Sequence, residues 1–335
     1  MQSITNVNIL FLFFFLIFGS IIGSFLNVVL FRYNTGRTVG GRSKCFSCKR
    51  TLAPIDLVPI FSYLAFRGRC RTCKSHISFQ YPAVEILTGV LFAGVYALYA
   101  PLALLNPMLF AYDVVVSLVV MSLLVLITVY DFRHKIIPDA FAYTFAIVSF
   151  VVMFIKVGAG TSQLLISIPE MSQLFAGIIL AFPFYFLWLI SRGRWMGLGD
   201  AKLALGIGWF LGLAKGGTAI IYGFWIGALL SVLIIACRPE ITATKRFFLV
   251  LMTTLAISLY RFETIGYWWI AIFAAFYAAY ALTKSPYGKS LIQKGIIPNL
   301  SAKSEIPFAP FLIAGLLIVY FFGYNTFSVL SSLYV

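Results

Sequence analysis

The sequence predicts an all-α polytopic membrane protein of about 8–10 transmembrane helices, with a polar cytosolic loop between the first and second. Three observations predict it. Hydrophobic residues make up 61% of the 335 and charged residues only 10%, a balance too apolar for a chain that must cover itself in water. Apolar windows of bilayer-spanning length recur along the chain. The Lys and Arg residues gather in alternate connecting segments, as the bias toward basic cytoplasmic loops requires.

The first window, Ile9 to Phe31, is too long for the apolar part of a signal peptide. It follows no basic stretch and runs into an Arg-rich loop rather than a small-residue cleavage site. It is expected to stay as a span within 1–31, with the N-terminus outside. Residues 32–82 then form the cytosolic loop. Windows at 83–104, 108–130, 139–157, 173–191, 201–214 and 218–237 make a core over 83–237. Shorter windows at 247–260 and 267–283 read as an added helical hairpin, with a basic cytosolic loop, inside 238–304; a last span at 306–323 lies in a closing segment, 305–335. In this alternation all but three of the 25 Lys and Arg (the three being Lys156, Lys215 and Arg261) fall on one side. The formal net charge of +15 then faces anionic inner-leaflet lipid, and nucleic acid is not expected as a partner.

The loop carries Cys45, Cys48, Cys70 and Cys73 in the spacing C-x2-C-x21-C-x2-C. Thiols stay reduced on the cytosolic side, so disulfides are the weaker reading. Four thiolates in two tight turns make the tetrahedral shell of a structural zinc, against the alternatives of free thiols or a redox pair. Seven neighbouring cations, among them Lys49, Arg50 and Lys74, would lower the thiol pKa values and offset the charge of a tetrathiolate centre. Cys237 stands alone in an apolar window and reads as a small buried hydrophobe.

Acids are scarce, 10 in all, and one buried at mid-membrane costs roughly 2.5–3.5 kcal/mol, so those near span ends point to function. Asp131 ends one window, and Asp200 opens another in Gly197-Leu198-Gly199-Asp200-Ala201-Lys202. One span out and one back separate them, so both carboxylates reach the same membrane face. Two carboxylates held close share one proton and can act as base and acid in peptide hydrolysis. Gly197 and Gly199 would let a peptide backbone approach, and Lys202 would support Asp200. The plainer alternatives are a glycine turn, Asp200 as a helix N-cap, and Asp131 paired with Arg133 or Lys135. Asp139, after Pro138, reads as a helix-capping acid, and His134 as a solvated residue.

At these residues the chain resembles the type IV prepilin leader peptidases. Gly23-Ser24-Phe25-Leu26-Asn27, the two C-x2-C pairs, Tyr81-Pro82-Ala83-Val84-Glu85, Asp131 with Ile137-Pro138-Asp139, the Gly197 to Leu203 segment and Ile306-Pro307-Phe308-Ala309-Pro310-Phe311 carry the likeness. The resemblance implies a bacterial inner-membrane enzyme with Asp131 and Asp200 as its catalytic pair. It implies prepilin or pseudopilin substrates of a type IV pilus or type II secretion system, cut after a short basic leader. It further implies N-methylation of the new amino terminus by S-adenosylmethionine, with the 32–82 loop involved and Asn27 and Glu85 near the cofactor. From the residues alone, Asn27 is equally an interhelical hydrogen-bonding group and Glu85 a helix first-turn acid. No glycine-rich nucleotide fold is present in the sequence. The extra apolar material between Cys237 and Ser304 departs from the family pattern. A protease without methyl transfer, and a proton-coupled transporter using the two acids, are the competing functions.

Overall fold

The computed structural model describes residues 8–36, 38, 40–157, 163–194, 196–236 and 307–323. They are helical almost throughout: α1 (Ile9–Arg32), α2 (Phe61–Ala65), α3 (Gln80–Tyr99), α4 (Leu102–Leu105), α5 (Pro107–His134), α6 (Asp139–Val152), α7 (Met171–Ser191), α8 (Leu198–Ala236) and α9 (Ala309–Phe322). Five of these, α1, α3, α5, α7 and α8, are long and apolar enough to cross a membrane, and α6 and α9 are shorter apolar helices. The windows at 247–260 and 267–283, and Cys237, lie outside the described residues.

The chain divides into two units, 1–222 with 307–335, and 223–306. In the first unit, α3 packs on α1 and α5, and α5 also contacts α6 and α9. Phe92, Met121, Leu124, Phe145, Leu203, Ile207, Leu312 and Leu316 fill the shared core. Phe13, Phe14 and Ile17 of α1 and Ile178, Phe182 and Ile190 of α7 point outward, as side chains that meet lipid must.

Small residues set the helix spacing, because inside a bilayer close packing rather than hydrophobic burial holds helices together. A Cβ on Gly19 would sit 2.7 Å from the Thr88 carbonyl oxygen, and one on Gly89 would sit 2.8 Å from that of Leu16, so α1 and α3 touch backbone to backbone. The same happens where α7 meets α8: a Cβ on Gly208 would lie 2.6 Å from the Gly177 Cα.

The expected windows at 201–214 and 218–237 appear as one hydrogen-bonded run, α8, but Gly212 within it has φ 79° and ψ 175°. A glycine tolerates that conformation, and the chain turns back there. Gly216 is therefore brought beside Gly208 and the Ile207 carbonyl, 3.4 Å from a Cβ placed on it, which a straight helix at 1.5 Å per residue would forbid. The dihedral angles, rather than the hydrogen-bond run, describe this segment: it is two limbs.

Other boundaries also shift. The window at 83–104 breaks after Tyr99, with Pro101 between α3 and α4. The window at 139–157 gives a helix only to Val152, then an unexpected antiparallel pair, β1 (Ile155–Val157) with β2 (Leu164–Ile166). At the far end of the bundle the Tyr320 hydroxyl bonds to Ser117 Oγ at 2.5 Å and Tyr99 at 3.1 Å, tying α9 to α5 and α3.

Gly89→Val should destabilise the protein by about 1–3 kcal/mol through overpacking, whereas Gly40→Ala, where a Cβ meets no atom of the described residues within 4 Å, should be near neutral. Reversible unfolding in detergent measures both.

Candidate active site

The end of α5 starts the site. Asp131 lies in its last turn, and the helix stops where Lys135 takes a left-handed conformation, φ 56°, its N–H bonding to the Asp131 carbonyl. Ile136, Ile137 and Pro138 then turn the chain into α6. Asp200 is the third residue of α8, at the same end of the bundle, since Lys202 one half-turn on reaches Asp139 at the start of α6. Asp131 and Asp200 are 4% and 7% exposed, and their carboxylates are close enough to interact electrostatically.

Gly199 is what allows this. A Cβ there would fall 2.7 Å from the Ile137 Cβ, closer than real side chains come. Ile137 thus lies over the bare face of the residue preceding Asp200, and the turn after Asp131 closes onto the start of α8. Gly197 is different, because among the described residues nothing comes nearer than 3.9 Å to a Cβ on it. Of the two glycines read as clearing room for a peptide, only Gly197 is open; Gly199 is used up in packing helix to turn.

The remaining contacts of the pair are mostly backbone. The Gly197 N–H faces the Asp200 carboxylate, and the Ala309 N–H, at the start of α9, faces that of Asp131. A helix N-terminus offers unpaired N–H groups and favours negative charge. Among the described residues Asp131 Oδ2 is buried with no hydrogen-bond partner, so one acceptor is open to a reacting group. Neither Arg133 nor Lys135 pairs with Asp131: among the described residues the ion pairs are Arg50–Asp56 and Lys202–Asp139, and Arg133 lies over the Phe31 ring. Lys202, expected to support Asp200, serves Asp139 instead. Asp139 is the first residue of α6 rather than its cap, which is Pro138. His134 is exposed, its ring 4.4 Å from that of Tyr130.

The cysteine loop sits at the same end. It is built from two copies of one turn. Cys45 N–H bonds to the Arg50 carbonyl and Lys49 N–H to that of Cys45; Cys70 N–H bonds to Ser75 and Lys74 N–H to Cys70 in the same way. Lys49 and Lys74 both take positive φ, 56° and 57°. Arg50 joins the copies, reaching Thr72 and Asp56. The four sulfurs lie within 4.8 Å of one another, Cys45 and Cys73 at 3.8 Å. A tetrahedron with arms of ~2.3 Å, the zinc–sulfur length, has edges of ~3.8 Å, so this cluster can hold a metal ion.

The Cys48 N–H is the largest influence on Cys45 and pulls its thiol down to about 6. Cys73 is lowered too, first by the Ser75 hydroxyl. The Arg50 N–H draws Cys48 down, but lost hydration and the neighbouring Cys45 and Cys73 sulfurs outweigh it and push Cys48 up to about 11. Hydrogen-bond donors of the turns, more than the nearby Lys and Arg, lead these shifts. Four thiolates this close need a cation among them.

Between this loop, α1 and α3 lies a cavity of about 1030 Å³ lined by Asn27, Phe31, Arg32, Arg50, Tyr81 and Glu85 among others. Asn27, 1% exposed, donates from Nδ2 to the Tyr81 carbonyl at 3.2 Å, while its Oδ1 is buried without a partner among the described residues. Glu85 accepts the Ile60 N–H at 2.7 Å and lies near the Ser24 hydroxyl. It is the sixth residue of α3, beyond the first turn, so helix-dipole complementarity does not explain it.

Residues 17–99 match the family model described as the bacterial peptidase A24 N-terminal domain, and residues 118–237 match the type IV leader peptidase family. A prepilin leader peptidase/N-methyltransferase of Bacillus subtilis (strain 168) is 32% identical over 217 residues, covering 64% of this chain and 79% of that protein. The chain belongs to the type IV leader peptidase family. Membership makes it an enzyme, an aspartic peptidase. A relative of the same description from Pectobacterium carotovorum is 27% identical over 251 residues, covering 68% of this chain and 84% of the relative. One from Myxococcus xanthus (strain DK1622) is 41% identical over 130 residues, 38% and 36% of the two chains. No solved structure matches this chain. In this leader peptidase the cysteine cluster falls in the first matched region and both aspartates in the second, while 238–335 lies beyond both.

Sequence reasoning missed the Ala309 N–H at Asp131 and the Lys202–Asp139 pair. Pro310, a residue suited to a helix start, was the signal for the first. No sequence signal marked the second.

Two outcomes are expected. Gly199→Ala should reduce peptidase activity by at least about tenfold, since misplacing a catalytic group by ~1 Å can cost ~100-fold, and Ile137→Ala in the same chain should restore part of it; Gly197→Ala should not respond to Ile137→Ala. Rates of the three variants and the combinations test this. Second, a lowered thiol pKa makes the thiolate contribution of Cys45 complete above about 9 and lost as pH falls through about 6, because protons compete with metal. Bound metal should therefore be released on dialysis below about pH 6 and kept at neutral pH, as elemental analysis reads directly.

Proposed function

We propose that this enzyme cleaves the short basic leader of type IV prepilins or pseudopilins with Asp131 and Asp200, at the cytosolic boundary of the bacterial inner membrane, its N-terminus outside. The observation that carries the reading is a pair of buried, interacting carboxylates from α5 and α8, backed by relatives named prepilin leader peptidase. One carboxylate takes a proton from the attacking water, and the other gives one toward the scissile carbonyl. The N–H groups of Gly197 and Ala309 orient the two side chains throughout. Open space at Gly197 receives the substrate backbone. A prepilin is suited to this placement because its apolar helix stays in the bilayer while its leader extends to the site.

The N-methyltransferase in the relatives' names supports a second activity in the cavity beside the cysteine loop. S-adenosylmethionine, when bound, supplies an activated methyl group for the newly exposed amino terminus. Asn27 Oδ1, buried and unpartnered among the described residues, offers a fixed acceptor to a cationic or amine group, and Glu85 adds a carboxylate on the same wall. Zinc suits the four sulfurs; with every position filled by protein it is structural, holding the loop that roofs the cavity.

Asp131→Asn and Asp200→Asn should each lower prepilin cleavage by about 10²–10⁴-fold, the usual worth of a general acid or base, with folding and metal content kept. Purified protein is assayed with a prepilin and labelled S-adenosylmethionine, reading cleavage and methyl incorporation separately. Methylation of a pre-cleaved pilin should survive Asp131→Asn. Near-normal cleavage in either variant contradicts the pair.

A further inference from the structure

At the end of the bundle that holds the pair, the described acids are Asp56, Glu85, Asp131, Asp139 and Asp200. Four of them are shut away: Glu85, Asp131 and Asp200 are at most 7% exposed, and the Asp56 side chain is 7% exposed beneath Arg50. The Asp139 side chain is 68% exposed. The end of α5 with the turn into α6, and the turn before α8, add the cations Arg133, Lys135, Arg192 and Arg194, all exposed. Among the described acids of this end, Asp139 is the one whose carboxylate a cationic peptide can reach.

That carboxylate is also held in place. Lys202 Nζ bonds to Asp139 Oδ1 at 2.6 Å and lies 4.6 Å from the centre of the Tyr143 ring. With its side chain only 12% exposed, Lys202 is committed from below. Asp139 Oδ2 is left for a second donor, and a carboxylate accepts several. The position is tied to both members of the pair, because Asp139 begins the helix that follows the Asp131 turn and Lys202 is two residues beyond Asp200.

The geometry points to Asp139 as the residue that receives the positive charge of the substrate's leader, with Lys202 as its positioning partner. This rests on the leader-cleaving function proposed above and names the specificity contact of the same site. An ammonium or guanidinium of the leader takes Asp139 Oδ2, so a basic segment docks beside the pair while the apolar remainder stays in the membrane. The exposed setting keeps the contact modest: exposed ion pairs are worth at most ~1 kcal/mol, about a fivefold effect, and salt screens them.

The test compares two prepilins, one with its native basic leader and one with every leader Lys and Arg changed to Gln. KM and kcat are measured in detergent for the wild-type enzyme and for Asp139→Asn, Asp139→Glu and Lys202→Met. The wild type should favour the basic leader, chiefly in KM. Asp139→Asn should cut that preference about threefold to fivefold, Asp139→Glu should restore it, and Lys202→Met, which frees both Asp139 oxygens and unmasks their charge, should raise it. If Asp139 is only a strut between α6 and α8, Asp139→Asn and Lys202→Met will lower both substrates alike and the preference will not move, which overturns the inference. Should Asp139→Asn fail to fold, Lys202→Met decides by the same criterion. Failure of the wild-type enzyme on both leaders would overturn the peptidase reading and this inference with it.

Discussion

The contact of the Ile137 side chain with the bare face of Gly199 is the interaction on which the rest of the site depends. Asp131 and Asp200 lie on separate helices with two others between them in sequence, and each side chain is nearly cut off from solvent. A buried carboxylate must find hydrogen bonds or a partner. Here the partners come from the backbone at Gly197 and Ala309, and those N–H groups are in place only if α8 and α9 begin where they do. Gly208 against Gly177 fixes α8 from one side. Tyr320, bonded to Ser117 and Tyr99, fixes α9 from the other end of its length.

A second, nearly separate arrangement serves the cysteine loop. Gly19 and Gly89 bring α1 and α3 into backbone contact, which places Asn27 and Glu85 side by side under the loop. The loop reaches back to this pair through the Ile60 N–H on Glu85. The two matched family regions follow the same division, and α1 meets the aspartate region at this end through Arg133 over the Phe31 ring and through Tyr33, just past α1, against Tyr130 and Phe141. Separate activities in one chain are natural for such a layout.

Much of this could be read from residues alone, for a physical reason. Spans follow from hydropathy because lipid imposes one simple requirement on every outward side chain, and thiolate pairs and membrane-edge acids are conspicuous in a chain so poor in polar groups. What could not be read depends on three-dimensional closeness. Gly199 looked like room for substrate, yet its space is taken by Ile137. Lys202 looked like a partner for Asp200, yet its side chain leaves the helix toward Asp139. The two windows on either side of Lys215 announced a reversal, yet nothing marked Gly212 as the residue that makes it, since a glycine among Gly206, Gly208 and Gly216 is unremarkable in composition.

The central claim is that Asp131 and Asp200 act as one unit, and a double-mutant cycle tests it most directly. Prepilin cleavage is measured for Asp131→Asn, Asp200→Asn and the double variant under identical conditions. Residues that share a catalytic step are strongly non-additive, so the account predicts that the double variant is no slower than the slower single one. Losses that multiply, with the double variant slower by the product of the two single effects, would show the two aspartates acting independently and would contradict it.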